Sequence, residues 1–222
     1  MCSLFFYFHF FYICIANRLL FMKGNKVNKK FIFNLDEIIL SERLFSAIRK
    51  GLENDEKLEN DEKETHPDEV LIKEIFHLGK YSISDIKKQV SNIKVYELIK
   101  SFIQNNSSLC HIVSELPACI CNELLTNFNC KYSCSNVDVS EDGHIVKLRE
   151  IIRKENIVSA FQNDGFSVVY IGSRDSDIEA LRTSNISVVF THNKIPSYHV
   201  TSKSDYIIFN EITLCNLLNQ LL

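Results

Sequence analysis

Apolar and polar positions along this chain follow two periods, and the changes of period mark out its elements. Residues 30–35 form a short, mostly apolar run of strand length, ending in Asn34 and Leu35. Residues 37–52 switch to helical spacing, with Ile38, Leu40, Leu44, Phe45 and Ile48 on one face. Three more helical stretches follow. One covers 67–78, with Pro67 in its first turn. Another covers 84–91, with Ser82 or Ser84 as N-cap. The third, 94–104, places Val95, Leu98, Ile99 and Phe102 on one face. Between the first two helical patterns of the chain lies 53–63, where Glu-Asn-Asp-Glu-Lys occurs twice. Its charge and lack of apolar spacing make it a solvated loop or frayed helix.

From Leu109 the pattern becomes short apolar runs alternating with helical ones. Strands are expected at 109–113, 167–171, 186–190 and 206–209, each apolar enough to be buried on both faces. Helices are expected at 117–128, 146–163, 175–183 and 211–222. This alternation predicts an α/β fold, a doubly wound parallel sheet with right-handed crossovers. The strand at 30–35 belongs to the same sheet. The plan is then an N-terminal extension at 1–29, a core from 30–36 and 106–222, and a helical insert at 37–105.

Composition narrows the function classes. At 222 residues and 45% hydrophobic, the chain is one domain, or one domain carrying an insertion, with a sizeable core. A net charge of −3 and a pI near 6.2 leave no basic footprint for a nucleic-acid partner. The cysteines stand at 2, 14, 110, 119, 121, 130, 134 and 215, several of them inside apolar runs, as free thiols do in a reducing cytoplasm. Cys119-x-Cys121 and Cys130-x-x-x-Cys134 depart from the usual zinc spacing, and the first pair splays apart on a helix. Residues 3–15 are aromatic and aliphatic apart from His9, but fall short of the roughly twenty needed to span a bilayer. They also lack the preceding positive charge of a signal peptide, although Cys14-Ile15-Ala16 is a tolerable cleavage triplet. The segment reads as a loosely attached extension, or as sequence upstream of a start at Met22.

The candidate chemistry gathers where ligands bind in such sheets, at the C-terminal ends of the strands. Asn34 and Asp36 are two apart in an extended segment and share one face. Ser114 ends the 109–113 strand, Lys154 lies in a helical stretch, and Gly172-Ser-Arg-Asp-Ser-Asp177 follows the 167–171 strand. Each residue alone has a plainer reading: Asn34 and Asp36 as a strand terminus, Ser114 as a cap for the next helix, and Asp175 and Asp177 as caps for theirs. Their joint order resembles the haloacid dehalogenase (HAD) superfamily of phosphatases: D-x-D-x-[T/V], a Ser/Thr after a second strand, a Lys, and G-D-x-x-x-D after a third. A helical insert directly after the first motif resembles the small cap of the phosphoserine-phosphatase-like branch. Lys154-x-x-x-Val158-x-x-Phe161, Gly165-Phe166 and Tyr170-Ile171-Gly172 resemble HAD domains found beside ubiquinone-pathway prenyltransferases.

The resemblance implies roles. In that superfamily the first aspartate attacks phosphorus, the second is the general acid and base, and Ser/Thr and Lys steady the phosphoryl oxygens. Mg2+ is held by the first aspartate, a backbone carbonyl and the aspartate after the last-motif glycine. Carried over, Asp36 takes the acid/base position, Ser114 and Lys154 bind phosphate, with Lys147 competing for the lysine position, and Asp177 is the second acid of the metal motif. Three positions depart. Asn34 stands at the nucleophile, Ser173 at a metal ligand, and Ile38 at the Thr/Val position. An amide is a poor nucleophile, and hard Mg2+ wants carboxylates. The expectation is a HAD-like phosphomonoesterase fold with impaired catalysis and a retained pocket for a small phosphorylated metabolite, Mg2+ being a family cofactor of doubtful fit here. The alternatives are a divergent Mg2+-dependent phosphatase, and a non-catalytic interaction or membrane-associated module using the N-terminal segment.

Overall fold

The computed structural model describes residues 28–53, 67–192 and 194–222. The apolar segment at 3–15, Met22 and all but the first residue of the 53–63 tract lie outside the described residues. Strand β1 (Lys29–Asn34) leads through a wide turn at Leu35–Ile39 into helices α1 (Leu44–Glu53), α2 (Pro67–Leu78), α3 (Ile83–Val90) and α4 (Glu97–Asn105). There follow β2 (Cys110–Pro117), α5 (Ala118–Leu125), β3 (Lys131–Val139), β4 (Ile145–Glu150), α6 (Lys154–Asn163) and β5 (Ser167–Gly172). The chain closes with α7 (Ile178–Thr183), β6 (Ile186–Phe190), α8 (Tyr198–Thr201), β7 (Tyr206–Ile208) and α9 (Glu211–Leu221).

All seven strands form one sheet in the order β4-β3-β2-β1-β5-β6-β7. Every pairing is parallel except β3 with β4. This is the doubly wound α/β sheet that the strand–helix alternation predicts. β1 lies at its centre, with Phe31 opposite Cys110 on one side and Val169 on the other. Side chains alternate across the sheet. Phe31 and Phe33 enter one apolar cluster, while Ile32 joins Val113, Val158 and Tyr170 in the other. The first cluster also takes in Leu44 and Ile48 of α1, Ile75 of α2, Ile86 of α3 and Phe102 of α4. Phe102 packs edge-on against Phe31 at 5.6 Å and tilted against Phe33 at 6.2 Å. The helices between β1 and β2 therefore share a core with the sheet, each fully buried large side chain contributing about 1.5–3 kcal/mol.

Several boundaries differ from the expected ones. The helix expected at 37–52 begins only at Leu44, because Glu37 turns left-handed (φ 61°) and the chain closes a wide loop through Leu40 N–H to the Leu35 carbonyl at 3.2 Å. The helix expected at 146–163 is two elements, β4 and α6. Residues 131–139, which have no long apolar run, form a strand with mostly half-exposed positions. β3 and β4 make a hairpin around Gly143 (φ 79°), and Asp142-Gly143 between alternating apolar residues is the signal that marks it. β7 is a short edge strand with Ile207 39% exposed, so it is not buried on both faces. Of the two N-cap candidates for α3, Ser82 is the one used, accepting from the Asp85 N–H at 3.2 Å. The six described cysteines are free thiols. Among the described residues, no helix is long and apolar enough to cross a membrane.

Candidate active site

The parallel strands carry Asn34, Ser114 and Gly172 to the same edge of the sheet, β1 lying between β2 and β5. Past the end of β5 the chain makes a short turn at Asp175–Asp177, which folds Asp177 back under the strand ends. This requires glycine at 172, where a Cβ would stand 2.8 Å from the Asp177 side chain.

Asp177 is wholly buried and is the hub of the site. Its Oδ1 accepts from the Lys154 ammonium at 2.6 Å and the Tyr170 hydroxyl at 2.8 Å. Its Oδ2 accepts from the backbone N–H of Ser173 at 2.8 Å and of Arg174 at 3.0 Å, and from Asn34 Nδ2 at 3.3 Å. Burial works against the charged carboxylate, but the Lys154 charge and these donors overcome it and hold Asp177 below the ordinary carboxylate range. The same contest ends in the same sense at Lys154. Burial would lower it, and the Asp177 and Glu115 carboxylates raise it. Its Nζ also meets Ser176 Oγ at 3.0 Å and Glu115 Oε2 at 3.1 Å. Burial and the neighbouring Asp177 charge push the Tyr170 hydroxyl well up, so it stays a donor.

Asp36 meets different surroundings. Its backbone is still extended past the end of β1 (φ −67°, ψ 130°), and its Oδ1 accepts the N–H of Leu44, the first residue of α1, at 3.1 Å. Its other oxygen lies 3.8 Å from the Arg174 guanidinium. Burial pushes the Asp36 carboxyl up, against the pull of Arg174 and the Leu44 N–H. Asn34 links the two acids, its Nδ2 lying 3.4 Å from the Asp36 carbonyl as well as reaching Asp177. At the rim, Glu37 accepts from Ser173 Oγ at 3.3 Å and from the Lys194 ammonium at 3.2 Å.

The structure thus joins Asn34, Lys154, Ser173 and Asp177 directly, and brings in Asp36 through Arg174 and Asn34. Ser114 is buried beside them, its Oγ accepting from the Leu116 N–H at 3.2 Å and touching Cys121 Sγ at 3.8 Å. Lys147 is exposed on β4, while Lys154 opens α6 inside the site. Sequence reasoning missed Glu115, Tyr170 and Arg174. Tyr170 is hidden within an apolar strand run, and the other two are direct neighbours of residues that were singled out.

At Asn34, Ser173 and Asp177 the donor set does not fit a divalent cation. Asn34 is a neutral amide, Ser173 donates its hydroxyl to Glu37, and both oxygens of Asp177 are filled by N–H and O–H donors and an ammonium, whereas Mg2+ wants open carboxylate oxygens. Among the described residues, no group of three or more His, Cys, Asp or Glu is arranged to hold a metal.

No protein-family model and no curated protein matches the sequence. Solved structures do match. A substrate-bound phosphoserine phosphatase superposes with a TM-score of 0.72 at 17% identity, over 88% of this chain and 99% of that one. The chain has a HAD-type, phosphoserine-phosphatase-like fold. A phosphoserine phosphatase captured as a phospho-aspartyl intermediate analogue gives a TM-score of 0.66 at 15% identity over the same shares. A HAD family hydrolase from Salmonella enterica serovar Typhi gives 0.69 at 12% identity, over 82% of this chain and 68% of that one. The HAD-type core is the same sheet whose C-terminal edge carries Asn34, Ser114 and Asp177.

Proposed function

We propose that this chain binds a small phosphate monoester on a phosphatase scaffold and turns it over poorly or not at all by an aspartyl-phosphate route. In this reading residues 37–105 serve as the cap, Asn34 stands where the nucleophile would be, and Asp36 stands in the acid/base position. Ser173 stands at a metal-ligand position. The observation that carries the reading is Asn34. It is a buried amide at the end of the central strand, and its Nδ2 is committed to Asp177. A neutral amide oxygen cannot yield a normal acyl phosphate, and losing the covalent step costs many powers of ten in rate. The likeness to a phosphoserine phosphatase with substrate bound supports a small phosphorylated ligand.

The test is hydrolysis of p-nitrophenyl phosphate by the purified chain, with and without Mg2+, alongside calorimetric binding of inorganic phosphate. The expected outcome is phosphate binding without turnover, with hydrolysis raised in an Asn34→Asp/Ser173→Asp double variant. Mg2+-dependent turnover by the unaltered chain that Asp36→Ala abolishes would overturn the reading in favour of a divergent phosphatase. Failure to bind phosphate would overturn it as well.

A further inference from the structure

We infer that Arg174 is the anion-binding cation of this pocket, and that it makes phosphate binding independent of a divalent metal. The inference rests on the proposal that the pocket takes a phosphate, and it concerns which group supplies the positive charge.

The cations of the pocket differ in what they have left to give. Lys154 has three N–H donors, and its Nζ already meets Asp177, Ser176 and Glu115 at 2.6, 3.0 and 3.1 Å. Its side chain is 1% exposed, so an arriving anion can reach it only by displacing one of these partners, the buried Asp177, the partly exposed Glu115 or Ser176. The backbone offers no substitute, because the N–H groups of Ser173 and Arg174 are both donated to Asp177. Lys194 stands outside, 74% exposed and paired with Glu37.

Arg174 is placed differently. Its side chain is 22% exposed, and its one carboxylate contact is the 3.8 Å approach to Asp36, too long for a hydrogen bond. A guanidinium carries five N–H donors in a planar fork that matches two phosphate oxygens at once. Its root is rigid. The Arg174 N–H is held by Asp177 Oδ2 at 3.0 Å, just after the strand end where Gly172 allows Asp177 to approach. The charge balance agrees. Lys154 answers Asp177 and Glu115, Lys194 answers Glu37, and Arg174, with a weaker pull from Arg43, answers Asp36. A site whose Asp177 oxygens are both taken by donors thus has a fixed monovalent cation whose own donors face no close acceptor.

The test is calorimetric titration of the purified full chain with inorganic phosphate, in EDTA and again in MgCl2. The expected result is the same affinity within about twofold in both buffers. Arg174→Gln should weaken it by roughly 10- to 100-fold, as expected for losing charge-assisted hydrogen bonds. Arg174→Lys, which keeps the charge but not the fork, should weaken binding several-fold and decides the matter if urea unfolding shows that Arg174→Gln does not fold. Binding that requires Mg2+, or that either folded variant leaves unchanged, overturns this inference alone. Absence of phosphate binding in both buffers overturns the proposed function, and this inference with it.

Discussion

Asp177 and Asp36 are carboxylates of one cluster, following adjacent strands β5 and β1, yet their surroundings act on them in opposite senses. Asp177 is enclosed by an ammonium, a phenol, two backbone N–H groups and an amide, and is held ionised below its ordinary range. Asp36 caps the first N–H of α1 and faces a guanidinium 3.8 Å away, and burial pushes its carboxyl up. The Asp177 half is wired as structure, with its donors and acceptors matched. The Asp36–Arg174 half keeps unspent donors, which is what a ligand needs. A polar cluster can therefore hold its shape on one acid while the other half changes its chemistry.

The sharpest way to break this comparison is Lys154→Met, which leaves the Asp177 carboxylate buried without its cation. We expect a loss of about 3–5 kcal/mol in urea unfolding at pH 7. A loss below about 1 kcal/mol would show that the Asp177 half is not structural.

The acid limb of the stability curve sharpens it next. Asp177, lowered in the folded chain, contributes stability that is present above its unfolded value and lost as pH falls through the lower folded one. Asp36, raised, acts in the reverse sense, costing stability as pH rises through its folded value. The Asp177 loss lies below the window of His111, which burial and the charges of Lys30 and Lys131 lower to about 4, whereas Asp36 enters that window from below and opposes it. The His111 Nδ1 is buried with no hydrogen-bond partner, and its Nε2 lies 2.9 Å from Ser133 Oγ. Between pH 6.5 and 4 the unfolded chain takes up this proton and the folded chain does not, so stability falls by about 3 kcal/mol on acidification. His111→Phe, which keeps the edge-on contact with Phe161 at 5.2 Å, should flatten that window and leave the Asp177 loss below it. A wild-type slope in the variant would assign the acid limb elsewhere.

The smallest effect belongs to Asp36→Asn. The amide oxygen can still accept the Leu44 N–H, and Arg174, which loses its carboxylate at 3.8 Å, is partly exposed to water, so urea unfolding should change by less than about 1 kcal/mol. A change as large as that of Lys154→Met would erase the contrast between the two halves.

The central strands were legible because a strand buried on both faces writes itself as an apolar run, as in β1, β2, β5 and β6. β3 and β4 were not, because residues 131–150 sit at the sheet's edge, half-exposed and polar, and only the Asp142-Gly143 turn betrays their hairpin. The start of α1 was misplaced because helical spacing continues through Ile38 and Leu40, while the left-handed turn at Glu37 breaks the backbone there. In the candidate site, Asn34, Asp36, Ser114, Lys154, Ser173 and Asp177 stood out by their order relative to strands and helices. Arg174, Glu115 and Tyr170 did not, since their importance lies in whom they meet across the sheet edge.

By itself the sequence determined the α/β alternation, the apolar strand that becomes β1, and the residue types available at the strand ends, because periodicity and chemistry are local properties of the chain. Only the tertiary structure decided that Lys154 is consumed by Asp177 and Glu115 while Arg174 keeps its donors. Such pairing depends on segments distant in sequence meeting at one buried edge, where each polar group takes whichever partner the packing leaves within reach.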